Sequence, residues 1–210
     1  PYQHVIIDEG QDFGKEEIDE VEIIDLLREN IIDNEEGNGT FYLFYDKNQM
    51  VHSKNAPKYI EEADCKLTLY RNCRNTENIA FTSLRLLGSD KMPKLYPDAV
   101  RGDLPELGFC STKEDMIALL NSEIDKYIDD GFHSITVLTC KTEESSIIAD
   151  CCIDSKYNYK RGYVRFTTCR KFKGLESDVI IVIDIYKDTF SDEGEQLMYV
   201  GTSRARFKLS

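Results

Sequence analysis

The sequence predicts an α/β fold in which parallel strands form sheets with helices packed on their faces. Short apolar runs alternate along the chain with longer segments whose apolar residues recur at helical spacing, as in parallel α/β sheets. The first two apolar runs end in the acidic residues Asp8 and Asp46, typical of the polar carboxyl ends of buried strands. Of the 210 residues, 41% are hydrophobic, which is enough to build packed cores.

The elements of the first part follow in the order strand, helix, strand. The apolar run at 4–7 predicts a buried strand, and residues 16–32, with acids between spaced apolar residues, predict an amphipathic helix. A loop over 34–39 precedes apolar runs at 41–45 and 67–70, which predict two more strands. We therefore expect a sheet that continues as far as residue 70.

The second part repeats the alternation. A helix over 76–87 is followed by residues 88–105, which hold three of the five prolines and predict a linker. Beyond it, the predicted strands are 107–110, 134–139, 164–168 and 179–184, and the predicted helices are 113–128 and 193–206, the last with a strand inside or just after it. We predict two domains, over 1–95 and 96–210.

The net charge of −13 is concentrated at one end of the chain. Residues 1–36 hold thirteen acidic and two basic side chains, so the remainder is nearly neutral. The total disfavours a generic basic nucleic-acid binder and attachment to an anionic membrane. No apolar run approaches the length of a membrane span and no signal peptide is visible, so we expect no membrane partner.

One segment is strongly basic. Residues 156–173 contain seven cations and no acid, with five aromatic residues between them. This pattern predicts binding of single-stranded nucleic acid through phosphate contacts and base stacking, with Arg161, Arg165, Arg170 and Lys171 as contact residues. The alternative is a basic β-hairpin whose aromatic residues belong to the core. Charge reversal at Arg161 and Arg165 distinguishes the two.

The cysteines indicate a reducing compartment. There are seven, an odd number, without a CxxC pair, and with three histidines they show no zinc-ligand spacing. We therefore expect reduced thiols and a cytoplasmic location. The chain opens with Pro1 and enters a strand at once, so we expect a fragment of a longer protein whose N-terminal part is missing.

Polar motifs stand where these elements meet. Asp8 and Glu9 follow a strand, where one carboxylate can hold Mg²⁺ and its neighbour can orient a water that attacks a phosphate. Arg74 opens a helix after a strand, a good position for a phosphate contact. Gly174 precedes a strand and allows close backbone approach to a ligand, and Arg204 could act as an arginine finger. Taken singly, each is also compatible with an ordinary polar turn or surface arginine.

The order and spacing of these motifs resemble motifs II to VI of the UvrD/Rep-type superfamily 1 helicases. Residues 8–12 match the DE-x-QD of motif II, and Asp46 and Gln49 match the Asp-x-x-Gln of motif III. The string over 72–79 resembles the N-Y-R-S-x-x-x-I of motif IV. The strings over 168–176 and 199–205 resemble the T-x-H-x-x-K-G-L-E of motif V and the Y-V-A-x-T-R-A of motif VI.

The resemblance implies a partial first RecA-like domain and a second RecA-like domain, with ATP in the cleft between them. It implies that Asp8 holds Mg²⁺, that Glu9 activates the attacking water, and that Gln49 senses the γ-phosphate. It further implies that Arg74 and Arg204 neutralise transition-state charge from the two sides of the cleft. Glu176, with Gly174 beside it, would contact the nucleotide ribose, and Thr168 would contact the DNA backbone.

The chain also departs from the family pattern. It contains no G-x-x-x-x-G-K-[ST] phosphate loop, which the family carries upstream of motif II, so we expect the 210 residues alone not to hydrolyse ATP appreciably. Arg170 replaces the histidine of motif V, Ser203 the threonine of motif VI and Cys73 the tyrosine of motif IV. About ninety residues separate motifs IV and V, which indicates a compact relative without an inserted accessory domain.

Three functions follow from this pattern. The first is the catalytic core fragment of an ATP-dependent helicase or translocase acting on single-stranded or partially duplex DNA. The second is a degenerate, non-hydrolysing binding or regulatory module, and the third is an RNA-directed superfamily 1 helicase. The upstream sequence separates the first two, because an intact phosphate loop supports turnover.

Overall fold

The computed structural model describes residues 2–10, 18–31, 39–46, 60 and 63–210, and it divides into two compact units, Pro1–Thr68 and Leu69–Ser210. In the first unit, β1 (His4–Ile7) and β2 (Thr40–Leu43) pair in parallel, and α1 (Ile18–Glu29) lies between them in sequence. The predicted strand, helix and strand are thus confirmed. Residues 34–38 of the predicted loop lie outside the described residues.

The second unit is built on a six-stranded sheet with flanking helices. Its elements are α2 (Glu77–Arg85), α3 (Lys113–Asp129), β3 (Ile135–Thr139), β4 (Cys152–Ile153), β5 (Lys156–Tyr159), β6 (Gly162–Thr168), β7 (Ser177–Ile183), α4 (Asp192–Thr202) and β8 (Ala205–Leu209). The strand order is β4-β5-β6-β3-β7-β8, with β6, β3, β7 and β8 parallel and the β4–β5–β6 end antiparallel. The predicted α/β class is confirmed as a mixed sheet with a parallel centre.

The alternation of side chains along β7 separates two cores. Val179, Ile181 and Ile183 are buried in one cluster with residues of α3, and Ile180 is buried in the other with residues of α2 and α4. Every residue of β3 is buried, as expected for a central parallel strand. The sheet therefore has a helix layer on each face.

Two helices of this unit begin at side-chain caps. Thr112 accepts a hydrogen bond from the Asp115 amide (3.1 Å) and starts α3, and Ser191 accepts one from the Gly194 amide (3.3 Å) and starts α4. Near the end of α4, Gly201 lies against Cys169, the residue that follows β6, because a Cβ there would approach the Cys169 Sγ to 2.6 Å. A side chain at position 201 would therefore require the Cys169 side chain to shift.

Two predicted strands are wrong. Residues 67–70 and 107–110 form no strand, and Leu69 and Phe109 expose 92% and 93% of their surface. Apolar composition alone suggested these strands, and in the described part of the chain no neighbouring strand pairs with them. The prediction also missed β4 and β5, although Tyr157 and Tyr159 alternate with polar residues in the period expected of a half-buried strand.

Along the sequence, the two compact units divide between residues 68 and 69, and the predicted domains divide between residues 95 and 96. Helix α2 packs on α4 and β8, and the Thr76 amide donates a hydrogen bond to the Arg206 carbonyl at 3.3 Å. The motif IV string therefore lies in the second unit.

In the described residues, no helix is both long and apolar enough to cross a membrane.

Candidate functional site

The carboxyl end of β1 is a tight turn that presents two carboxylates. Asp8 is exposed, and its Oδ1 accepts a hydrogen bond from the Glu9 amide at 2.9 Å. Glu9 has a φ of +54°, in the left-handed region, where a non-glycine residue stores about 1–3 kcal/mol of strain. The Gly10 amide donates to the Phe44 carbonyl at 2.8 Å, and a Cβ on Gly10 would lie 2.5 Å from the Leu43 Cδ2.

The same edge of the first unit fits a magnesium ion bound through water and phosphate. Asp46 follows β2, which is parallel to β1, so Asp8 and Asp46 both follow carboxyl ends of neighbouring strands. Mg²⁺ needs only one or two carboxylates when phosphates and waters complete its octahedron. No cluster of three or more potential ligand side chains occurs among the described residues. Gln49, Gln11 and Asp12 lie outside the described residues.

In the second unit, Glu176 stands between two arginines. The Arg74 Nε donates to the Glu176 Oε2 at 3.1 Å, and the Arg206 Nε lies 3.8 Å from the Oε1. Arg206 also pairs with Asp178, at 3.4 Å from Nη1 to Oδ1. The four side chains form a line of alternating charge at the amino end of β7. The side chains of Arg74 and Glu176 are 40% and 48% exposed, so a ligand can reach them.

The backbone at Arg74 is fixed by two asparagines. The Asn72 Oδ1 accepts from the amides of Arg74 (2.9 Å) and Asn75 (3.1 Å), which closes a local turn. Asn75 is buried, and its Nδ2 donates to the carbonyls of Ser203 (2.9 Å) and Ala205 (2.5 Å). These carbonyls flank Arg204, so one amide group links the motif IV string to the motif VI string.

Arg204 is 2% exposed and lies between the end of α4 and the start of β8. Its amide donates to the Gly201 carbonyl at 3.2 Å, and its carbonyl accepts from the Ser177 amide at 3.1 Å. The structure thus brings the Arg74, Glu176 and Arg204 segments together within one unit. This differs from the expectation that the two arginines would approach a nucleotide from the two sides of a cleft.

The end of β6 and the turn that follows it hold the other predicted residues of motif V. Gly174 has a φ of +81°, which favours glycine, and a Cβ there would meet open space. Thr168 is buried and its Oγ1 accepts from the Lys171 amide at 3.1 Å. The Lys171 Nζ lies 3.2 Å from the Glu143 Oε1, and Arg170 is paired with Glu193 in the first turn of α4.

Residues 156–168 of the basic segment form the antiparallel hairpin of β5 and β6. Four of the segment's aromatic residues are buried, and Tyr163 alone among the five is exposed, at 61%. Both Arg161 Nη atoms donate to the Asp129 Oδ1 at 3.0 Å, and this hydrogen bond raises the pKa of Arg161. The Arg165 guanidinium lies 5.0 Å from the Phe172 ring centroid. Tyr163 is thus the one aromatic side chain of this segment that a ligand could reach.

Sequence reasoning missed Arg206, Asp178, Asn75 and Asp184. Asp184 is buried at the carboxyl end of β7, where it accepts from the Thr139 Oγ1 (2.6 Å), the Ser146 Oγ (2.6 Å) and the Ile147 amide (3.1 Å). It fixes the loop after β3. Its position after an apolar strand was a usable signal, whereas nothing in the local sequence pairs Arg206 with Glu176.

Comparison with known proteins agrees with the resemblance in the C-terminal part of the chain. Residues 163–210 match the family model of the UvrD-like helicase C-terminal domain. The C-terminal domain of a possible DNA helicase from Lactobacillus plantarum WCFS1 is a similar solved structure, with 19% identity and a TM-score of 0.45 over 65% of this chain and 83% of that chain. No curated protein matches. The resemblance to UvrD-type helicases is thus confirmed for the segment that holds Thr168, Gly174, Glu176 and Arg204.

Proposed function

We propose that this chain is part of an ATP-dependent superfamily 1 DNA helicase or translocase, which couples ATP hydrolysis to movement on single-stranded DNA. The observation that carries the proposal is the Asn75 amide, which holds the Arg74 segment against the backbone on both sides of Arg204. Two segments from distant parts of the sequence, each carrying one arginine, are thereby held together. Phosphoryl transfer requires such a concentration of positive charge around the γ-phosphate.

Each residue has a distinct role in this proposal. Asp8 would hold Mg²⁺, which neutralises phosphate charge when bound, and Glu9 would orient the attacking water. Arg74 and Arg204 would stabilise the charge of the transferred phosphoryl group. Gly174, with no side chain over its turn, lets a nucleotide approach the backbone beside Glu176. Gln49 would sense the γ-phosphate, and the free thiols of all seven cysteines suit a cytoplasmic parent protein.

The first prediction concerns Glu9. In the parent protein with single-stranded DNA, Glu9→Gln should lower the ATPase kcat by about 10²–10⁴-fold, because the amide cannot accept the proton of the attacking water. Binding of a fluorescent ATP analogue should persist. Steady-state hydrolysis and equilibrium titration measure the two effects.

Glu29→Gln is the matched control, because Glu29 is an exposed acid at the end of α1. It should leave turnover unchanged. A parent protein that binds ATP but does not hydrolyse it with any DNA would instead be the degenerate module. Rapid turnover by the 210 residues alone would contradict the need for a phosphate loop.

The second prediction concerns DNA. Charge reversal of Arg161 and Arg165 in the parent protein should weaken single-strand binding by about tenfold or more, because each lost phosphate contact removes counterion release. The slope of log affinity against log salt should fall by about 0.7 per contact. Fluorescence anisotropy with labelled DNA and RNA strands measures both effects and shows which nucleic acid is preferred.

Arg85→Glu is the control for this experiment, since Arg85 is an exposed arginine on α2 with an acid nearby, as Arg161 has. Unchanged affinity in the double reversal would show that Arg161 and Arg165 serve only the fold of the hairpin, Arg161 through Asp129 and Arg165 through the Phe172 ring.

A further inference from the structure

We propose that Glu176 is a positioning residue for Arg74, and that it acts on hydrolysis through this arginine rather than through the nucleotide ribose. The proposal rests on the proposed ATPase function and concerns the same site. Its basis is the ion pair in which the Arg74 Nε donates to the Glu176 Oε2 at 3.1 Å. A ribose contact would use the carboxylate for the substrate, whereas here the carboxylate orients a cation.

The contact with Glu176 leaves the phosphate-binding end of the Arg74 guanidinium available. An arginine has five N–H donors, and Glu176 takes the single one on Nε. Among the described residues, neither Nη atom of Arg74 makes a hydrogen bond or ion pair. The guanidinium is thus held at its Nε, and the N–H donors of its two Nη atoms remain able to bind a phosphate at two points.

Glu176 is itself held in place. Arg206 approaches its other oxygen at 3.8 Å and is fixed in turn by Asp178 at 3.4 Å. Both Glu176 oxygens therefore face arginines. At the other end, the backbone of Arg74 is fixed by the Asn72 side chain. A long, flexible side chain restrained at both ends loses less conformational entropy when it meets a phosphate.

The test is a double-mutant cycle in the parent protein with ATP, 2′-deoxyATP and 2′,3′-dideoxyATP as substrates. Glu176→Gln should lower kcat about tenfold on all three nucleotides, with KM changed less than about twofold, because a transition-state contact is misaligned. In an Arg74→Gln background, Glu176→Gln should have no further effect, since the two act as one unit.

Two results would overturn the proposal. One is a rise in KM for ATP that is absent with the nucleotides lacking ribose hydroxyls, which assigns Glu176 to the ribose. The other is a pair of losses that multiply in the double variant. Asp150→Asn is the matched control, because it removes an exposed acid that pairs with Lys113 at 2.8 Å elsewhere in the unit. It should change neither kinetic constant.

A second measurement does not depend on hydrolysis. In this chain, the Nε–H of Arg74 should exchange with solvent several-fold more slowly than that of Arg85, whose Nε lies 3.8 Å from its acid. Glu176→Gln should remove the difference. Equal exchange in the unsubstituted chain refutes the proposal even if the parent protein hydrolyses ATP. Slow exchange without any ATPase activity would leave the pair intact and would refute the proposed function.

Discussion

Arg204→Gln in the parent protein is expected to lower the DNA-stimulated ATPase kcat about a thousandfold, the scale on which arginine fingers act in phosphoryl transfer. Glutamine retains hydrogen-bonding capacity but cannot offset the charge of the transferred phosphoryl group. Arg204→Lys should also be impaired, because an ammonium group cannot make the planar two-point contact. Single-turnover hydrolysis with saturating ATP measures the chemical step directly.

Stability must be followed in the same variants, because Arg204 is 2% exposed and its loss disturbs a packed region. Urea unfolding separates the two effects, since a variant that is folded at the assay temperature and inactive has lost chemistry. Arg101→Gln provides an exposed arginine of the same unit as a control. A kcat within threefold of the unsubstituted protein would remove Arg204 from the catalytic residues.

Asn75→Asp is expected to destabilise the second unit by about 3 kcal/mol, although it replaces a single NH₂ group by oxygen. The amide donates to the carbonyls of Ser203 and Ala205 from a buried position. A carboxylate there would place acceptor against acceptor and bury a charge. Chemical denaturation of the 210-residue chain, followed by a probe in the second unit, measures the loss.

Asn78→Asp is the comparison, because Asn78 is a less buried asparagine that donates to one carbonyl, of Gly102, at 2.9 Å. Its replacement should cost about 1 kcal/mol, the net value of one half-buried hydrogen bond. Equal losses at the two positions would mean that Asn75 does not connect Arg74 with Arg204.

The sequence predicted the long amphipathic helix and the buried central strands of the second unit. The helix over 113–128 was found because its apolar residues recur at helical spacing, and the strands at 134–139 and 179–184 were found as short apolar runs. The runs at 67–70 and 107–110 were misjudged, since strand formation also needs a partner, and no local pattern reveals one.

The candidate site was predictable only in part, for the same reason. Motif spacing identified Arg74, Glu176 and Arg204, and the family match covers the last two. Asn75 binds backbone carbonyls more than a hundred positions away, and Arg206 pairs with Glu176 in a different segment of the chain, so no short string identifies either residue. For the basic segment the sequence shows the cations but not their partners. Acids that pair with these cations, such as Asp129, come from α3 and are distant in sequence.

The two hydrogen bonds from Asn75 to the carbonyls at 203 and 205 determine which substitutions this region can accept. The partners of Asn75 at 203 and 205 are main-chain carbonyls, so the side chains at those two positions can change without breaking the link. Serine at 203, where the resembling family carries threonine, is one such change. At 203 and 205 the link therefore depends on the main chain, and the side chains there are limited only by packing, since both residues are buried. At 75 the link depends on the side chain itself, because asparagine is the one side chain of its length that donates twice from a neutral amide.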